Sequence, residues 1–253
     1  MRFDQKWPIS LSIVRHGQSA GNVARDLAEK AGLAVIDIEV RDVDVPLSEL
    51  GHRQAEAIGA WWAEQAEDQR PTVILTSPYV RARQTAEAIR DAVVSSGVKV
   101  EFVFDERLRE REFGRLDRLT KRGIIERFPF ENELRARLGK FYYRPPGGES
   151  WTDVILRLRS VVDSLARDYA DQRVLIVCHS VVIFCLRYLF EAMTEEQILK
   201  IERETDVANC SLTTYSFKGT KGTAGHPVLE TFNFVAPLNE SNERVTREPD
   251  RRG

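Results

Sequence analysis

Ile9-Ser10-Leu11-Ser12-Ile13-Val14-Arg15-His16-Gly17-Gln18-Ser19-Ala20-Gly21-Asn22 opens as a short apolar run and switches at once to a cation, an imidazole, a glycine and small polar residues. The apolar part, Ile9 to Val14, predicts a buried strand. The polar turn behind it predicts an anion site, because open α/β sheets bind ligands just beyond the carboxyl ends of their strands. An imidazole placed there is a candidate nucleophile. The reading depends on whether the rest of the chain sends matching residues to the same place.

Downstream, strand and helix patterns alternate. Ser19 to about Lys30 continues as a helix with Gly32 as its stop, and 33–46 reads as a loop with some extended structure. Ser48 is a good N-cap for a helix to about Asp68 that packs Trp61 and Trp62 at core and edge. Thr72 to Thr76 is a β-branched strand; Ser77-Pro78 then predicts a helix to about Val94, with Ser as cap and Pro at the first position. Val98 to Phe104 reads as a further strand, followed by helical patches around 120–128 and 131–138. Pro145-Pro146-Gly147-Gly148 is a hard break, and Ser150-x-x-Asp153 is a capping box that opens a helix to about Tyr169. Arg173 to Cys178 is the clearest central strand, ended by His179-Ser180, with Ser180 as cap of an apolar helix to Phe190. Thr194 starts one more helix, and 211–217 and 228–235 alternate like two strands across a Gly-rich loop. This order predicts an α/β fold, a three-layer α/β/α sandwich with a mostly parallel central sheet. With no linker or internal repeat, we expect one domain over 1–238, a basic substrate-covering insertion at 107–148, and a disordered polar tail at 239–253.

Composition narrows the function classes. The 253 residues, 42% hydrophobic and 30% charged, are ample for a real core. A net charge of -2 gives no reason to expect nucleic acid or a membrane surface as partner. No apolar run approaches the ~20 residues that span a bilayer, and Met1 to Lys6 lead into only a short apolar segment, so no signal peptide is expected. Three cysteines without metal or disulfide spacing fit a reducing, cytoplasmic compartment, with Cys178 and Cys185 as core thiols. Between Arg107 and Arg144, 12 Lys and Arg face 6 Asp and Glu. That excess reads either as a solvated helical face or as a positive cap that draws in an anionic substrate. Oligomeric state stays open.

In a parallel sheet three strand ends would share one edge: Arg15-His16-Gly17, Ser77 with Arg81 behind it, and His179-Ser180. Guanidinium groups and helix N-termini favour phosphate, and an imidazole among cations suits nucleophilic or acid/base work. There is no G-x-S-x-G, no G-x-x-x-x-G-K-[ST] and no carboxylate cluster suited to Mg²⁺. The expectation is phosphoryl chemistry without metal or cofactor, on a small phosphorylated substrate or a phosphoprotein.

Arg15-His16-Gly17-Gln18-Ser19-x-x-Asn22 after a first strand resembles the signature of the histidine phosphatase superfamily, which includes the cofactor-dependent phosphoglycerate mutases. Further segments match in order: Pro46-Leu47-Ser48-x-x-Gly51-x-x-Gln54-Ala55, Thr76-Ser77-Pro78-x-x-Arg81-Ala82-x-x-Thr85-Ala86, Leu108-Arg109-Glu110-Arg111-Glu112-Phe113-Gly114, Gly148-Glu149-Ser150 and Val177-Cys178-His179. The resemblance implies that His16 takes the phosphoryl group and that Arg15, Arg81 and His179 hold its oxygens with help from Asn22. It implies that Glu110 protonates the leaving oxygen and then activates water, with Glu112 the rival. It also places Gln18, Ser19 and Arg111 near the substrate. Ser180 stands where many members have Gly, so its hydroxyl would join the phosphate contacts. Arg83 reads as a surface ion-pair residue, and His52 and His226 as exposed and uninvolved.

Gly148 follows Glu110 by only 38 positions, too few for the long insertion of the mutases, which argues for a phosphatase. Ile124 to Trp151 is similar to the bisphosphatase domain of the bifunctional fructose 2,6-bisphosphate enzymes, through Lys140, Tyr143, Arg144 and Trp151. That similarity implies a second phosphate held by Lys140 and either Arg135 or Arg137. The Phe-Tyr-Tyr-Arg-x-Pro segment also resembles phosphoglycerate mutase-like proteins of plants. The competing readings are a 2,3-bisphosphoglycerate-dependent mutase and an inert phosphate-binding scaffold.

Overall fold

The computed structural model describes residues 7–218 and 225–248. Residues 1–6, most of the Gly-rich loop (219–224) and residues 249–253 lie outside them. Six strands form one sheet: β1 (Ser10–Arg15), β2 (Val73–Thr76), β3 (Glu101–Phe104), β4 (Arg173–Cys178), β5 (Leu212–Lys218) and β6 (His226–Phe234), in the order β3-β2-β4-β1-β5-β6. The first four in that order pair in parallel; β5 and β6 add an antiparallel edge beside β1.

β4 is central because nearly every residue in it is apolar, as a strand covered on both faces requires. Its side chains alternate between two cores. Val174 and Ile176 join Leu11, Ile13 and Leu75 on one face, against α6 (Trp151–Asp168) and α7 (Ser180–Phe190). Leu175 and Val177 join Val14 and Ile74 on the other, against α2 (Glu49–Glu64) and α3 (Val80–Ser95). This period-2 division makes the three layers. The remaining helices are α1 (Ala20–Lys30), α4 (Lys121–Arg127), α5 (Pro129–Tyr142), α8 (Glu195–Glu204) and the short α9 (Ala236–Glu240). All three cysteines are buried thiols, and burial pushes those of Cys185 and Cys210 far above the usual thiol range.

Most starts follow their caps. Ser19 and Ser150 each form a reciprocal capping box, with Asn22 and Asp153. Ser48, Thr120 and Thr194 cap α2, α4 and α8. Three expectations differ. Ser77 does not cap α3, which begins at Val80 behind Tyr79 without a side-chain cap; its hydroxyl faces His179 instead. Ser180 is the first residue of α7 rather than its cap, a place taken by His179. Residues 239–248 are not a loose tail. Leu238 is fully buried in the core beneath α2 and α3, and Thr246 is 2% exposed, held by polar side chains that hydropathy does not reveal.

Candidate active site

The parallel pairing sets Arg15 beside Cys178 and Thr76 beside Val177, so β1, β4 and β2 end together on one edge. His16, Ser77 and His179 are the next residues of those three strands, and all three are fully buried. The His16 and His179 rings lie 5.1 Å apart, and His179 Nε2 is 2.9 Å from Ser77 Oγ. His16 Nδ1 lies 2.7 Å from the Gly17 carbonyl oxygen. That carbonyl can only accept, so Nδ1 carries a proton, and in the neutral ring the lone pair is on Nε2.

The loop behind His16 is held from several sides. Gly17 N donates to Thr85 Oγ1 at 3.0 Å, and Thr85 Oγ1 donates in turn to the Arg81 carbonyl at 2.8 Å. Gln18 N donates to Gln54 Oε1 at 2.9 Å. The first turn of α2 packs directly on this loop: a Cβ on Gly51 would stand 1.9 Å from the Gln18 carbonyl oxygen. Gly51→Ala must therefore push loop and helix apart. We expect it to lower the unfolding free energy by about 1–3 kcal/mol, read as an earlier urea midpoint; an unchanged midpoint would show that α2 does not hold the loop.

Arg15 is 1% exposed; its Nη1 donates to the Val207 carbonyl at 2.5 Å and its Nη2 to the Glu248 carbonyl at 2.6 Å. Asn22 Nδ2 reaches the same Glu248 oxygen at 3.4 Å, while its Oδ1 accepts from Ser19 N at 2.9 Å. Gln18 takes Ser48 Oγ at 2.8 Å and donates to the Glu248 carboxylate at 3.3 Å. Arg81 is 3% exposed and donates to the Asp42 carbonyl at 2.7 Å; its guanidinium lies 5.0 Å from the Tyr79 ring. With Ser19 and Asn22 it lines a small cavity.

Of the two rival carboxylates, Glu110 faces His179. It is 1% exposed, its Oε2 lies 3.8 Å from His179 Nδ1, and its Oε1 accepts from Arg111 N at 2.8 Å. Glu112 instead accepts the Tyr79 hydroxyl at 2.6 Å. Burial, then that bond, pushes the tyrosine far above its ordinary range, so it stays a donor.

A cavity of about 440 Å³ adjoins Arg15 and Ser180 and extends past Arg111, Arg135, Lys140 and Tyr143. Arg111 donates to the Glu149 carbonyl at 2.7 Å, and burial pushes it down to about 10. Lys140, also lowered by burial, donates to Glu202 at 2.5 Å, and the Tyr143 hydroxyl donates to Glu131 at 2.9 Å. Arg135, not the exposed Arg137, lines this space. Arg144, also expected near the substrate, lies apart from these residues. Its guanidinium pairs with Asp153, the partner of the Ser150 cap in the capping box of α6, and it does not border the cavity. Arg83 pairs with Glu87 at 3.7 Å, and His52 and His226 are exposed, as expected.

Sequence reading missed the supports: Gln54, Thr85, Asn209 and the tail. Asn209 Nδ2 donates to the His16 carbonyl at 3.0 Å, and its Oδ1 accepts from Thr246 Oγ1 at 2.9 Å. Gln54 and Thr85 stand in segments already singled out, so their positions were signalled even though their partners were not. Asn209 and Thr246 carry no comparable pattern. Among the described residues no group of His, Cys, Asp and Glu is arranged to hold a metal ion, and no helix is long and apolar enough to cross a membrane.

A family model described as histidine phosphatase superfamily (branch 1) matches residues 11–227. A Yersinia enterocolitica protein named probable phosphoglycerate mutase GpmB is 30% identical over 233 residues, covering 91% of this chain and 95% of its own. A mycobacterial glucosyl-3-phosphoglycerate phosphatase solved with VO3 is 26% identical with TM-score 0.66, covering 89% of this chain and 99% of that one. YhfR of Bacillus stearothermophilus is 26% identical with TM-score 0.68, covering 90% and 98%.

Proposed function

The chain belongs to the histidine phosphatase superfamily, and from that premise we propose that it hydrolyses a phosphomonoester through a phosphohistidine on His16. The observation that carries this reading is the buried apposition of His16, His179 and Glu110 at adjacent strand ends. In the first step His16 Nε2 attacks phosphorus, the bond from phosphorus to the leaving oxygen breaks, and Glu110 gives that oxygen its proton. In the second, water attacks phosphorus, the N–P bond breaks, and the proton returns to Glu110. Arg15, Arg81, Asn22 and His179, with Ser180 beside them, neutralise charge on the phosphoryl oxygens. No metal or cofactor enters either step. For these residues to serve this role their present partners must give way: the Glu248 carbonyl at Arg15 and Asn22, Asp42 at Arg81 and the Ser77 hydroxyl at His179.

The cavity supports a substrate class. Arg111, Arg135 and Lys140 give the wall beyond Arg15 a positive character that suits a second anionic group on the substrate. Gln18 and Ser19 serve as loop supports in this reading, and Tyr143 as part of the cavity wall. Buried thiols at all three cysteines agree with a reducing, cytoplasmic setting.

The second reading is phosphoglycerate mutation, favoured by the name of the Yersinia relative. The 38-residue spacing between Glu110 and Gly148 favours hydrolysis. A panel of phosphorylated sugars and acids, assayed for released phosphate, separates the two when run beside a coupled assay on 3-phosphoglycerate with 2,3-bisphosphoglycerate. Hydrolysis should dominate, with phosphomonoesters that carry a second anion preferred. Faster isomerisation than phosphate release would make the protein a mutase, and phosphate binding without any turnover would make it a scaffold.

A further inference from the structure

Glu149 and Arg157 touch none of the reacting groups, yet they grip the segment that carries Glu110. Arg157 lies inside α6, and its Nε and Nη2 donate to the two oxygens of Glu149 at 2.9 and 3.1 Å. The fork is nearly buried, at 10% and 12% side-chain exposure. The guanidinium then turns to backbone: Nη1 donates to the Arg107 carbonyl, and Nη2 to the Glu110 carbonyl at 3.3 Å. Glu149 completes the grip. Its carboxylate accepts from Glu112 N at 3.2 Å and Arg109 Nη2 at 2.6 Å, and its own N–H donates to the Glu112 carbonyl at 2.9 Å. The segment is thus pinned three residues before Glu110, at Glu110 itself and two residues after it.

The grip adds to the buried Leu108 side chain before Glu110 and to the Tyr79–Glu112 bond after it, and it holds the backbone on either side of the carboxylate. Between β3 and Glu110 the chain makes one 3-10 turn, Glu106–Leu108, and no sheet ladder extends to Glu110. A general acid works only within hydrogen-bond reach of its target, and a misplacement of about 1 Å costs about 100-fold. We infer that the Glu149–Arg157 pair is the positioning device for the proton donor, acting through the backbone of residues 107–112. The inference rests on the proposed role of Glu110.

Lysine at 157 keeps the charge and the buried stem but cannot fork to a carboxylate and two carbonyls at once. The test is single-turnover release of the leaving group by the full-length wild type, Arg157→Lys, Glu110→Gln and the double variant. Two substrates are compared: 2,4-dinitrophenyl phosphate, whose leaving group departs as a stable anion, and phenyl phosphate, whose leaving group needs a proton. Arg157→Lys should slow release from phenyl phosphate about 10- to 100-fold and change release from the dinitrophenyl ester by no more than about 2-fold. In the Glu110→Gln background it should add no more than about 2-fold, since the group it positions is already disabled. Equal slowing of both substrates, or the full effect persisting without Glu110, would make Arg157 a general scaffold residue and overturn the inference. If Glu110→Gln itself shows no dependence on leaving group, the reading of Glu110 as proton donor fails first, and is recognised separately.

Discussion

His16→Ala is expected to lower phosphomonoester turnover by about 10⁴-fold or more, as loss of a covalent nucleophile does when no other group can replace it. The neighbouring imidazole cannot take over. His179 faces Ser77 through Nε2 and Glu110 through Nδ1, and its part in the proposed mechanism is to donate to a phosphoryl oxygen rather than to attack phosphorus. The substitution removes the Nδ1 bond to the Gly17 carbonyl and leaves a void at a fully buried site, so a stability loss of about 1–3 kcal/mol is also expected. A thermal melt separates that loss from the kinetic one. The loop keeps its bonds from Gly17 to Thr85 and from Gln18 to Gln54, so inorganic phosphate should still bind in titration. Wild-type turnover in a folded His16→Ala protein would end the covalent reading.

Glu110→Gln is the second large effect, and its signature differs. Glutamine keeps the size of the side chain, and its oxygen can still accept from Arg111 N. What is lost is the transferable proton. Turnover of an alkyl phosphate should fall about 10²- to 10⁴-fold, the range for removing a general acid or base. The same group serves water attack in the second step, so an activated aryl phosphate should load His16 faster than water unloads it. The variant should then accumulate phosphoenzyme that the wild type does not. Glu112→Gln is the control: its carboxylate takes the Tyr79 hydroxyl rather than facing His179, so it should produce no such accumulation.

The fold was legible because its rules are local. Apolar β-branched runs marked β1, β2 and β4, and capping residues placed the starts of α2, α6 and α8. Alternation then sent His16, Ser77 and His179 to one edge before any contact was known. The misreadings share one physical cause. Ser77 and Ser180 have the side chain of a helix cap, but a serine hydroxyl takes whichever partner the tertiary structure offers, and for Ser77 that is His179. The tail looked unstructured because 239–248 is polar and charged, yet it is held by Gln54 and Asn209 through Thr246. Arg144 was expected near the substrate from a segment resemblance, which does not show that its guanidinium pairs with Asp153 in the first turn of α6. Hydropathy reports burial and period; it does not report which buried polar atoms find one another.

The central claim is that phosphoryl transfer passes through His16 Nε2. Its most direct test is to mix Glu110→Gln with 2,4-dinitrophenyl phosphate, quench under alkaline conditions that preserve phosphoramidates, and locate the added mass by peptide mass spectrometry. One phosphoryl group should appear on the peptide carrying Arg15-His16-Gly17, be absent from Glu110→Gln combined with His16→Ala, and be lost on brief acid treatment. Steady hydrolysis with no phosphorylated peptide, or a phosphoryl group at His179 or on a serine, would contradict it.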